Sequence, residues 1–141
     1  MFKKIKYFIQ RGRKGYSNAD IYSLSYYLAD LISNALKEFK ENEFMGIPPR
    51  IYEESKENEK IALKKWNKIL DKIIDTFETV KKITENEVIY IPADTPNFKK
   101  VRESFKKVAK ELPAKLLTYK EAKKYEEGFD LFKKYFLDLW I

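Results

Sequence analysis

Arg11, Arg13 and Lys14 run directly into Gly15, Tyr16 and Ser17, within the segment RGRKGYSNADIYSLSYYLAD at residues 11–30. Three cations just ahead of a helix start are equipment for holding an anion. Backbone N–H groups and the helix dipole favour negative charge there, and Gly12 and Gly15 let the backbone approach a phosphate closely. Tyr16, Tyr22 and Tyr26 add rings on which a base could stack, and arginine beside stackable aromatics is what nucleotide binding needs. Residues 1–19 carry Lys3, Lys4, Lys6, Arg11, Arg13 and Lys14 and no acid. The alternative is a frayed basic tail whose tyrosines pack under another helix. No phosphate-loop or dinucleotide motif is present to choose between the two.

A second basic group is KKVRESFKKVAK, residues 99–110. Lys99, Arg102 and Lys106, with Lys100, Lys107 and Lys110, face away from an apolar stripe and are opposed by Glu103 alone. A basic amphipathic helix of this kind can lie on nucleic acid or on an anionic bilayer. It can equally be a solvated face that keeps the protein soluble. Asp71, Asp75 and Glu78 follow one another at i, i+4 and i+7, a spacing suited to Mg²⁺ or to acid–base work. Lys68, Lys72 and Lys82 are within helical reach and offer ordinary ion pairs instead. A di-iron site lacks its Glu-x-x-His element.

Composition narrows the chemistry. The 141 residues include no His and no Cys. Disulfides, thiolate metal sites, Ser-His and Cys-His nucleophile pairs and the commonest general base are all excluded. Catalysis would rest on carboxylates, Lys, Tyr or Arg, so the expectation is a protein without enzymatic activity, metal or cofactor. The net charge of +7 favours polyanionic partners, although Lys with Glu nearby also decorates solvated helix faces. Aromatics at 16% speak against low-complexity disorder. No apolar run reaches the roughly 20 residues of a membrane span, and MFKKIKYFIQ lacks the long apolar region and cleavage site of a signal peptide. A cytoplasmic location is expected.

The elements that must position these residues are helical. Phe2, Ile5 and Ile9 suggest one or two turns over residues 2–10, broken at Gly12 and Gly15. Ser17 and Asp20 form a capping box, and Ile21, Leu24, Leu28, Leu31, Ala35 and Phe39, a stripe widened by Ile32 and Leu36, predict a helix over 18–41. Gly46 and Pro48–Pro49 make residues 42–52 a loop. A second long helix is predicted over 55–84 on Ala62, Trp66, Ile69, Ile73, Phe77 and Val80. Val88 to Ile91 favour β geometry but have no evident partner strand. Thr95 and Pro96 read as cap and first turn of a third helix carrying Phe98, Val101, Phe105, Val108 and Leu112. TYKE at 118–121 is a second capping box, and Ala122, Tyr125, Phe129, Phe132, Phe136 and Leu139 carry the last helix to the C-terminus. The fold class is therefore all-α: one domain over 1–141, a helical bundle of about four helices plus a short basic N-terminal helix, with 1–16 as a basic segment. The aromatic stretch FDLFKKYFLDLW, residues 129–140, is core by its spacing. Its density also suits a subunit interface, and so a homo-oligomer.

RGRKGYSNADIYSLSYYLAD, the Gly-x-Pro loop GIPP, WNKILDKIIDTFE and GFDLFKKYFLDLW together cover about half the chain. They resemble segments of a family of small uncharacterised proteins from tailed bacteriophages and prophages. Tyr22 stands where that family usually has Trp, and Ile141 where it has an acid. The resemblance implies phage origin and expression in host cytoplasm; it implies no activity, and no site residue carries over. With it, the leading expectation is a non-enzymatic protein binding a phosphate-bearing ligand, for instance a counter-defence protein that sequesters a host nucleotide signal. Arg11, Arg13 and Lys14 would meet phosphates, Tyr16, Tyr22 and Tyr26 would stack on bases, and Lys99, Arg102 and Lys106 would widen the positive field. The rival expectations are a module that inhibits a host or phage protein and a DNA- or RNA-binding accessory protein.

Overall fold

The structure, a computed structural model, describes residues 1–140; Ile141 lies outside the described residues. The chain is predominantly α-helical, as expected. Its helices are α1 (Phe2–Lys14), α2 (Asn18–Tyr22), α3 (Leu24–Glu41), α4 (Pro49–Glu54), α5 (Glu59–Thr84), α6 (Phe98–Glu111) and α7 (Tyr119–Tyr135). Two-residue strands β1 (Val88–Ile89) and β2 (Lys115–Leu116) lie either side of α6, and a 3-10 turn over Phe136–Asp138 follows α7.

Both capping boxes form. The Ser17 and Thr118 side chains accept the N–H of Asp20 and Glu121, whose carboxylates accept in return from the cap residues' N–H groups. Other boundaries differ from expectation for local reasons. Gly12 does not break α1, which runs on to Lys14 and ends on Gly15 in the left-handed region at φ 79°. The helix predicted over 18–41 is interrupted at Ser23, whose φ of −129° and ψ of 48° separate α2 from α3. The predicted loop at 42–52 contains the start of α4, because Pro49 occupies a first-turn position where its missing N–H is not needed. The cap of α6 is Asn97, at φ 54°, in place of Thr95; Asn tolerates that conformation better than most residues. β1 also has a partner after all. It pairs in parallel with β2, Val88 opposite Lys115 and Ile89 opposite Leu116.

α5 is the spine. Ala62, Trp66, Leu70, Ile73 and Phe77 are buried along it, and it packs between α3 and α7. Residues that meet across each boundary rise on one helix as they fall on the other, so both neighbours run antiparallel to α5. On the α3 side, Asp30 pairs with Lys81 and Lys40 with Asp71. On the α7 side, Trp66 meets Tyr135 edge-on with ring centroids 5.4 Å apart, and Phe77 meets Phe132 at 5.0 Å. At Gly128 α7 lies close against α5. A Cβ there would lie 2.9 Å from the Lys72 carbonyl oxygen and would overlap the Thr76 side chain.

Only part of the stripe expected along α3 reaches the core: Leu36 is buried, and Ile32 and Phe39 pack against it. The residues buried against α5 are Ala29, Ser33 and Leu36. The earlier members of the stripe predicted to face inward, Ile21, Leu24, Leu28 and Leu31, remain 43–56% exposed. The C-terminal aromatics divide likewise: Tyr135 is buried, Phe132 packs against the core, and Phe136 and Trp140 are more than half exposed. α6 buries only Ala109, with Phe105, Val108 and Leu112 partly open. No helix among the described residues is long and apolar enough to cross a membrane.

Candidate functional site

The basic N-terminal segment is an ordered corner in place of a tail. The Arg11 guanidinium grips the Asp20 carboxylate with two bonds, Nε to Oδ2 at 2.9 Å and Nη2 to Oδ1 at 2.5 Å. Ser17 is fully buried, and its N–H and hydroxyl donate to the same carboxylate at 2.6 and 2.8 Å. Gln10 Oε1 accepts the Asn18 N–H at 2.8 Å, and the Tyr27 hydroxyl donates to the Gly15 carbonyl. Arg11 and the Ser17 donors together hold the Asp20 carboxyl well below the usual carboxylate range. An anion therefore already occupies the start of α2, and it belongs to the protein.

The other predicted site residues divide by whether they are engaged. Lys14 donates to Asn18 Oδ1 at 3.1 Å and lies 4.7 Å from the centroid of the Tyr16 ring. The Arg102 guanidinium donates to the Leu116 and Leu117 carbonyls, each at 2.9 Å, and so secures β2 against α6. Lys106 pairs with Glu103 at 2.7 Å. Among the described residues, Arg13 and Lys99 make no ion pair or side-chain hydrogen bond. Tyr22 is 92% exposed. Tyr26 is half-buried, with the Lys81 ammonium 5.8 Å from its ring centroid. Tyr22 and Tyr26, with Ser23, Ser25, Thr84 and Glu85, line a shallow groove.

Both basic segments are carried at the C-terminal end of α5, one tied to α2, the other to β2. No ion pair or side-chain hydrogen bond joins α1 to α6 among the described residues. Two of the acidic trio on α5 pair with lysines of α3, and Glu78 also lies 3.6 Å from Lys81 on its own helix. Asp71 pairs with Lys40 at 2.5 Å, and Glu78 with Lys37 at 2.8 Å. Ser33 also donates to Glu78. Lys37, then Ser33, then Lys81 hold the Glu78 carboxyl down at about 2.

Two open apolar surfaces were not foreseen as sites. One is the ridge Leu24, Leu28, Leu31 and Ala35 of α3, whose 4-3-4 spacing is that of a helix-docking seam, with Ile21 of α2 exposed just ahead of it. Asn34, Glu38 and Glu41 lie along one edge of it. The other is on α1, which buries no residue at all. The spacing signal for both was visible in the sequence; what it lacked was any sign that nothing covers them. Compared with protein-family models, curated proteins and solved structures, the chain matches none.

Proposed function

We propose that this protein is a non-enzymatic interaction module that docks an amphipathic helix of another protein along the α2–α3 seam. One observation carries the reading: Leu24, Leu28 and Leu31, at coiled-coil spacing on α3 and followed by Ala35, are about half open to solvent, as is Ile21 on α2 just before them. The acidic edge formed by Glu38 and Glu41 favours a partner helix whose facing edge is basic. In the phage setting implied by the resemblance, that partner is a host or phage protein, and binding it would inhibit it.

A photo-crosslinking residue in place of Leu28 or Leu31, in cells that make the protein, tests this. A discrete adduct with a second protein is expected, lost on Leu24→Asp and absent when the probe replaces Lys64 on α5. Adducts only with itself, or none, overturn the reading.

A second reading retains a phosphate-bearing ligand, a nucleotide or nucleic acid, at Arg13, Lys14, Tyr16 and Tyr22. The exposure of the Tyr22 ring beside the groove shared with Tyr26 supports it. Titration with dinucleotides and short oligonucleotides, with and without Tyr22→Ala, tests it. Saturable binding that Tyr22→Ala weakens is the expected result; no binding at tens of micromolar counts against it.

A further inference from the structure

At 100° per residue, Phe2, Ile5, Phe8 and Ile9 of α1 fall within an arc of about 120°. The residues that fasten α1 to α2 are Gln10, Arg11 and Lys14, and their mean direction is about 180° from that arc. Tyr7 and Gln10, the only residues of α1 that are even half-buried, are on this inner side. α1 is thus attached to the protein through its polar face and turns its apolar face away, with Phe2 and Phe8 86% and 78% exposed.

The charges are arranged to match. Arg13 and Lys6 border the apolar arc beside Phe2, and Lys4 borders it beside Phe8. With Arg11 neutralised by Asp20, Lys3, Lys4, Lys6, Arg13 and Lys14 remain, and α1 contains no acid. A soluble protein partner would need both an apolar groove and acids on either side of it. Two copies of α1 would repel one another. Nucleic acid meets the cations but gives the phenylalanines nothing to enter. An anionic bilayer satisfies both faces at once: apolar side chains enter the boundary between headgroups and acyl chains, and bordering Lys and Arg reach up to lipid phosphates.

We propose that α1 is an interfacial helix that seats the protein on an anionic lipid surface, with the α3–α5–α7 body held above the plane by the Arg11–Asp20 and Gln10–Asn18 contacts. This contact is peripheral, and independent of the α2–α3 seam.

The test is co-sedimentation of the full chain with phosphatidylcholine vesicles, with and without phosphatidylglycerol. Partition into the anionic vesicles only is expected, weakened by salt. Lys4→Gln with Lys6→Gln should lower partition about 25-fold, at about fivefold per cation. Phe2→Ser with Phe8→Ser should lower it at least about tenfold. Neither pair removes a buried side chain, so the thermal unfolding midpoint should hold in both, and Leu28→Asp should leave partition intact. Three results overturn the proposal: no partition at low salt; partition indifferent to the phenylalanine changes, which makes the contact purely electrostatic; or a concentration-dependent dimer without lipid that those changes abolish, which assigns the apolar face to a second copy. Oligonucleotide binding that competes with vesicles and survives the phenylalanine changes overturns it as well.

Discussion

Gly128→Ala is the sharpest test of how the body is assembled. A methyl group there would sit 1.7 Å from Thr76 Oγ1, 2.5 Å from Thr76 Cβ and 2.9 Å from the Lys72 carbonyl oxygen. Thr76 is 2% exposed and its hydroxyl donates to the Tyr125 carbonyl, so it has little room to turn aside. The Lys72 carbonyl is helix backbone and moves only if α5 and α7 separate. Separation would loosen the Trp66–Tyr135 and Phe77–Phe132 contacts on the same boundary. Overpacking of this kind costs up to about 3 kcal/mol, and the better helix propensity of alanine returns about 1 kcal/mol. A net loss of about 2 kcal/mol lowers the melting midpoint of a chain this size by about 6 °C. Thermal unfolding followed by circular dichroism at 222 nm reads the shift. Thr76→Ala alone should cost about 1 kcal/mol through its lost hydrogen bond. In the Gly128→Ala background it should cost less, since it also removes the atom in worst conflict. A Gly128→Ala protein as stable as the parent, or strictly additive costs, would refute the close crossing.

Asp20→Asn should detach α1 from α2, seen as faster hydrogen exchange in residues 2–14 with the core of α5 unchanged. Because the Glu78 carboxyl is held at about 2 in the fold against an ordinary value near 4.5, it stabilises the fold above that range. About 1–2 kcal/mol, after screening by solvent, should be lost as pH falls from 4.5 toward 2. Denaturant melts against pH should show a flatter acid limb for Glu78→Gln. Leu28→Asp should change stability by no more than about 0.5 kcal/mol, whereas Leu36→Ala, one turn from Ser33 on the buried side, should cost about 2–5 kcal/mol. Gly12→Ala should raise helicity in α1 by up to about 1 kcal/mol of propensity, because nothing lies within 4 Å of the added methyl.

The parts of this fold that the sequence announced are those written in local chemistry. The two capping boxes need only four consecutive residues, and both form. The stripe of α5 was legible because a helix of 26 residues buried on two sides repeats its signal many times. α4 escaped notice because a proline pair reads as a breaker until its position in the first turn is known. The β1–β2 pair joins residues separated by the whole of α6, and nothing local in VI or KL specifies that partner. Site residues failed in a related way. Arg11 and Asp20 are nine apart across a glycine turn, so an arginine that looked available for a ligand was already bound by the carboxylate of the α2 capping box.

The α3 stripe carries the larger lesson. Helical spacing shows that Leu24, Leu28 and Leu31 share a side of α3; it does not say what meets that side. α5 takes the other face, through Ala29, Ser33 and Leu36, because small residues there admit the close, hydrogen-bonded approach that Ser33 makes to Glu78. Ile32 and Phe39 border that face and complete the core, which leaves Leu24, Leu28 and Leu31 outside it. Leucine and isoleucine left half in water lower solubility and add little to this fold's stability, and the same holds for Phe2 and Phe8 on α1. The two surfaces differ in the charges beside them, acidic on α3 and basic on α1. That difference argues for two contacts of opposite electrostatic character on neighbouring helices, since Arg11 of α1 grips Asp20 beside Ile21.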